Sequence, residues 1–161
     1  MSLTQPVASD HQLARLLQIG MVLEEVVEAR AHKHYEALGD DELDPEIVAL
    51  LEDAAEESGE HRRRLESLVD ELDADPVAYE EIETLVAARY ESDTYFDGVL
   101  YDQLCNEETA YKFYDDLIAA IEGSAIEFTI DRERLIEVLE AIRAEERDGV
   151  EEVTELMERR R

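Results

Sequence analysis

Four helical stretches of the chain each place a glutamate near the middle of an otherwise apolar face. In residues 97–122, Leu100, Leu104, Glu107, Tyr111, Tyr114, Ile118 and Ile121 share a face at spacings of three and four, with Glu107 the lone charge. In residues 131–159 the face is Leu135, Leu139, Ile142, Glu146, Val150, Val153 and Met157, with Glu146 alone. In residues 44–72, Ile47, Leu51, Ala54, Glu57, His61, Leu65, Leu68 and Leu72 bring Glu57 and His61 one turn apart. In residues 10–38, Leu17, Met21, Glu24, Glu28, Ala31, Tyr35 and Leu38 form the face, but Leu23, Val26 and Val27 rotate or widen it.

A carboxylate turned into a core costs several kcal/mol unless it is paired, protonated or metal-bound. Carboxylates converging at one level repel one another, and a multivalent cation removes that conflict. Ion pairs with Arg30, Arg62 or Arg143 are the alternative. Glutamates from two helices, with glutamate and histidine from two others, form the di-iron or di-manganese donor set of helical carboxylate proteins. Hard oxygen donors with an imidazole suit iron or manganese better than zinc.

The elements that must position these groups are helical. Ser9 or Asp10 caps a helix that runs to residue 38 and stops at Gly39. After a short loop, Asp44 and Pro45 open a second helix that runs to 72. A break at 73–76 precedes a short helix over 76–90 and an irregular stretch over 91–97. A helix over 97–122 stops at Gly123, and the last runs over 131–159. The best strand candidate is 125–130 (AIEFTI), inside a connection. The four long helices span roughly 40 Å each at 1.5 Å per residue. Two short-looped hairpins joined by a long link place the second and third long helices parallel. This predicts an all-α single domain over 1–161: a ferritin-like four-helix bundle with a long crossover that contains a short helix.

The composition narrows the partners. The chain has 161 residues, 44 acidic against 15 basic, for a net charge of −29. Nucleic acid and anionic membranes are therefore excluded as partners, because neither can exchange counterions with such a surface. Lys33 and Lys112 are the only lysines, against thirteen arginines. That balance resembles proteins of salt-accumulating microbes such as halophilic archaea, where a Debye length of about 3 Å at 1 M salt screens self-repulsion. Cys105 is the only cysteine, which excludes an internal disulfide framework and a four-cysteine metal site. No apolar run approaches the ~20 residues of a membrane span. The first residues (MSLTQPVASDHQ) lack the basic start and apolar core of a signal peptide, so a cytoplasmic protein is expected.

Three segments carry a family resemblance: residues 28–35 (EARAHKHY), 107–114 (EETAYKFY) and 56–61 (EESGEH). In the first two a glutamate stands seven residues before a tyrosine, with an aromatic ring four after the glutamate. The chain resembles the ferritin-like superfamily, and within it the rubrerythrin-type di-iron domain, across all four long helices. The resemblance implies bound iron or manganese, ferroxidase or peroxide-reducing activity on O2 or peroxide, and dimers or larger assemblies. It implies metal ligands at Glu28 and Glu107 (first and third long helices), Glu57 and His61 (second) and Glu146 (fourth). Two positions depart from the pattern. Ser58 stands three before His61, so Glu57 is spaced by four, and the last helix has Gly149 and Val150 where a histidine is expected. Glu24, Glu25 or His32 completes such a set, or the site is asymmetric, weak or decayed.

Among the other reactive side chains, His32 is read as an exposed helix-face residue or a ligand, and His34 and His11 as surface residues. Tyr35, Tyr111 and Tyr114 either hydrogen-bond ligand carboxylates or serve as core aromatics. Cys105 is expected to be buried and inert. Three functions follow: a di-metal oxidoreductase, a metal-free or weakly metal-binding bundle acting as a dimeric interaction module, or an iron store assembled into a closed shell.

Overall fold

The computed structural model describes residues 5–37, 44–90 and 98–160, with backbone alone for 35–37 and 85–90. Five helices follow in order: α1 (Asp10–Ala37), α2 (Pro45–Glu71), α3 (Tyr79–Tyr90), α4 (Val99–Glu122) and α5 (Arg132–Arg159). Among the described residues there is no strand, and residues 125–130 form bends and irregular backbone. Arg132 ties this segment to the end of α4: its guanidinium donates to the backbone oxygens of Ile121 (3.1 Å), Ser124 (3.0 Å) and Ile126 (2.6 Å). The predicted stops at Gly39 and the stretch 91–97 lie outside the described residues.

The helix starts follow local chemistry. Ser9 Oγ accepts the Gln12 N–H at 3.1 Å, Asp44 accepts that of Glu46 at 2.9 Å, and Asp131 accepts that of Glu133 at 3.1 Å. Each relieves a donor that the first helical turn leaves unpaired. Gly98, before α4, has φ +126°, a region open to glycine alone. α3 begins three residues later than its sequence suggests. The reason is long-range: the Gln18 side chain of α1 donates to the Val77 carbonyl (2.8 Å) and accepts its N–H (3.2 Å), holding that backbone extended.

α1 packs along α2 and α4 along α5; α1 also meets α4, α2 meets α5, and α3 lies against α1. One core joins all four long helices through Leu13 and Leu17, Leu65 and Leu68, Leu117 and Ile121, and Leu135, Leu139 and Ile142. These come from the beginnings of α1 and α5 and the ends of α2 and α4, so α2 and α4 run parallel. Smaller apolar clusters fill the opposite end: Ala31, Leu51 and Ala55 in one, Leu50, Val153 and Leu156 in another. Each fully buried leucine contributes about 1.5–3 kcal/mol. Among the described residues, no helix is long and apolar enough to cross a membrane.

Candidate metal centre

Between the two apolar ends the core turns polar. Each long helix contributes: Glu24 from α1 (1% exposed), His61 from α2 (1%), Glu107 from α4 (7%) and Glu146 from α5 (4%). The helical period that brings Leu17 or Leu139 inward turns these positions inward two turns further on. His61 Nδ1 lies 3.0 Å from Glu146 Oε1 and 3.3 Å from Glu24 Oε1. The Tyr114 hydroxyl donates to Glu24 Oε1 at 2.6 Å, and Gln103 Nε2 donates to Glu107 Oε1 at 2.9 Å. Glu146 lies among the carboxyl groups of Glu107 and Glu24, which act on its protonation.

The other edge of the imidazole faces outward. His61 Nε2 lies 2.6 Å from Glu145 Oε2 and 3.8 Å from Glu57 Oε1, both on half-exposed side chains. Arg64 holds Glu145 with two bonds, at 3.0 and 3.2 Å, and Glu60 with a third at 2.8 Å. His61 thus separates a buried trio (Glu24, His61, Glu146) from an outer trio (Glu57, His61, Glu145). In each, one donor atom per residue lies within 4.8 Å of the others.

The electrostatics reflect crowding of carboxylates around a single imidazole. Burial drives Glu146 well above the usual carboxylate range, and the neighbouring Glu24 and Glu107 add to it. Burial also raises Glu107. Glu57 is pushed up to about 7, by burial and by Glu107, Glu145 and Glu24 against the opposing pull of His61. Burial pulls His61 down, but its carboxylate partners, Glu24 and Glu145 foremost, outweigh that and raise it. Burial pushes Glu145 up, yet Arg64 and His61 hold it below its ordinary value. Tyr114 is raised far, by burial and by the charges of Glu24 and Glu146.

Of the residues singled out by the sequence, the structure gathers His61, Glu107 and Glu146 in the buried layer and sets Glu57 at its outer edge. Glu28 lies one turn beyond Glu24, half-buried, with its carboxylate 3.1 Å from Arg62, and it belongs to neither trio. Glu24, one of the three residues considered for completing the set, takes the α1 place. The rule of a glutamate seven before a tyrosine selects Glu28 on α1, but the tyrosine that reaches the α1 carboxylate of the buried layer is Tyr114 of α4, while Tyr79 of α3 donates to the neighbouring Glu25 at 2.6 Å. The Tyr35 side chain lies outside the described residues. Glu145 escaped the sequence reading because it is adjacent to Glu146 and so reads as a solvated face.

His34, expected at the surface, is buried, with Nε2 2.7 Å from Asp102 Oδ2. Asn106 and Arg30 join that α1–α4 cluster through Asp102. No periodicity announces it, since Asp102 and Asn106 read as ordinary polar helix residues. His32 and His11 are exposed, and Cys105 is half-buried rather than fully buried.

Two buried oxygens decide what the layer fits. Among the described residues, Glu24 Oε2 and Gln103 Oε1 have no hydrogen-bond partner; Glu28 Oε2, one turn away, has none either but is answered by its ion pair with Arg62. An unpartnered buried acceptor costs about 1–3 kcal/mol, and more for a charged one. The nearby arginines are engaged elsewhere: Arg62 with Glu28, Arg64 with Glu60 and Glu145, Arg143 with Asp115. A cation would satisfy the orphaned carboxylate oxygen, and the two carboxylates and one imidazole nitrogen of the buried trio suit iron or manganese. No family model, curated protein or solved structure matches the chain.

Proposed function

We propose that this chain is a metal-carboxylate protein of the ferritin-like four-helix-bundle type, binding iron or manganese and acting on Fe(II), O2 or peroxide. The supporting observation is the Glu24 Oε2 atom, fully buried and without a donor, in a layer shared with Glu107, Glu146 and His61. Glu24, His61, Glu107 and Glu146 would hold the ion, with Glu57 and Glu145 on the solvent side of the imidazole. When bound, iron or manganese supplies Lewis acidity and one-electron redox chemistry.

The chain's own residues prepare the place. Tyr114 anchors Glu24 and Gln103 orients Glu107, as partners behind ligands commonly do. The apolar clusters at both ends keep water out. The test is anaerobic loading with Fe(II) and with Mn(II) in molar salt, followed by metal analysis and an Fe(II) oxidation assay. Wild type and Glu28→Ala are expected to bind the ion, and Glu24→Ala and Glu146→Ala to lose at least tenfold in affinity. Wild-type protein that retains no metal overturns the reading.

One observation favours a second reading. α5 offers no imidazole beside Glu146, since Gly149 stands there. A metal-free bundle that pairs through a helix face as a dimeric interaction module needs none. In that case Glu107→Ala leaves stability unchanged or higher, because a buried acid is removed, and light scattering in molar salt returns a dimer that ignores added metal.

A further inference from the structure

Gly149 lies three residues after Glu146, one turn along the same side of α5. A Cβ built there in ideal geometry would stand 2.7 Å from Glu107 Oε2, 2.8 Å from its Cδ and 3.0 Å from its Oε1. Nonbonded carbon contacts settle at about 3.5–4.0 Å, so the whole Glu107 carboxylate occupies the space of the missing side chain. The other α2–α5 glycine in this region, Gly59, shows no such approach, its nearest contact being 3.7 Å. The Glu107 head is not free to swing away, because it is buried and receives the Gln103 amide at 2.9 Å.

We propose that Gly149 is a positioning residue: the side chain it lacks is a socket that admits the Glu107 carboxylate of α4 onto α5 beside Glu146. At this level an oxygen donor from the neighbouring helix stands where a second imidazole from α5 is expected. The departure at Gly149 is thus compensated within the fold. α5 accepts a glycine mid-helix, which by itself is less favourable than alanine by about 1 kcal/mol, in exchange for that approach. With oxygen donors alone from α4 and α5, the centre selects a hard divalent ion, Mn(II) or Fe(II), over Zn(II). This last step rests on the metal reading above; the socket does not.

Thermal melts of the metal-free protein in molar salt test the socket directly. Alanine in place of glycine at an uncrowded helix site raises the melting temperature by about 2–4 °C for a chain of this size. Gly149→Ala is expected to lower it by at least that much, or to prevent folding. In a Glu107→Ala background the same change is expected to restore folding and raise the melting temperature by about 2–4 °C. An increase in both backgrounds overturns the socket, whatever the protein binds.

Calorimetric titration with Mn(II) and Zn(II) tests the selectivity. Gly149→Ala is expected to weaken Mn(II) about tenfold or more, and Gly149→Ala with Glu107→Asp, whose carboxylate is drawn back by one methylene, to recover part of the loss. Wild type that prefers Zn(II) overturns the selectivity. A reversal of sign in the melts with no binding of Mn(II) or Fe(II) upholds the socket and removes the metal reading alone.

Discussion

Glu24 and Glu28 sit one turn apart on α1 and meet opposite surroundings. Glu24 is sealed against Tyr114 and His61, while Glu28 meets Arg62 at the bundle's edge. Glu107 and Glu146 were legible as lone charges on otherwise apolar faces, and His61 as one of two polar groups, with Glu57, on its face. The choice between Glu24 and Glu28 was not, because α1 buries Leu16, Val22 and Val27 as well as Leu17 and Met21, and a stripe that wide has no single centre. Tyr114→Phe removes the donor to Glu24 Oε1 and leaves a second buried carboxylate oxygen less satisfied. Denaturant unfolding of the ion-free protein is expected to show a loss of about 1–3 kcal/mol, and an unchanged midpoint contradicts the anchoring role.

The pH response belongs at this scale too. Glu146, Glu107, Glu57 and His61 all hold protons more tightly when folded than when unfolded. Their contribution is complete below the unfolded values, 4.5 for the carboxyls and 6.5 for histidine, and is lost as pH climbs through the folded ones, near 7 for Glu57. The ion-free protein is therefore expected to melt at progressively lower temperature from about pH 5 to pH 8, and added Mn(II) to flatten that decline. Glu145, held low by Arg64 and His61, loses its contribution only as pH falls toward the acid range, outside this window. A melting temperature that rises toward pH 8 without metal contradicts the assignment.

At the scale of elements, caps made the helix boundaries readable and long-range bonds made them err. Asp44 before Pro45, and Asp131 before α5, accept the N–H groups their positions suggest. The start of α3 was misplaced because Gln18, nearly sixty residues away in sequence, takes both backbone groups of Val77. The segment 125–130, the best strand candidate, stays a connection, with the Arg132 guanidinium taking the carbonyl of Ile126 within it and that of Ser124 just before it. Gln18→Ala frees the Val77 backbone and loosens α3 from α1. Limited proteolysis is expected to cut within 73–90 several-fold faster than in wild type while the rest of the chain resists. Uniform resistance rules out this tether.

For the whole molecule, the parallel course of α2 and α4 followed from loop lengths alone, since two tight hairpins and one long link leave little other choice. Charge acts at this scale. With a net charge of −29, much of it on exposed carboxylates, the folded chain repels itself in dilute buffer. Raising KCl from ~0.1 to ~1 M shortens the Debye length from about 10 to about 3 Å. The melting temperature is expected to rise steadily over that range, and a salt-independent value separates the acidic surface from stability.

The polar layer is bounded on both sides by leucine-rich packing drawn from the same helices. Such a chamber stands on its own walls. If the proposed ion binds there, a chelator is expected to remove it without melting the helices, unlike small metal domains whose shape depends on their ion. Refilling would then need no refolding, because the walls keep the shape of the cavity whether or not the proposed ion is there.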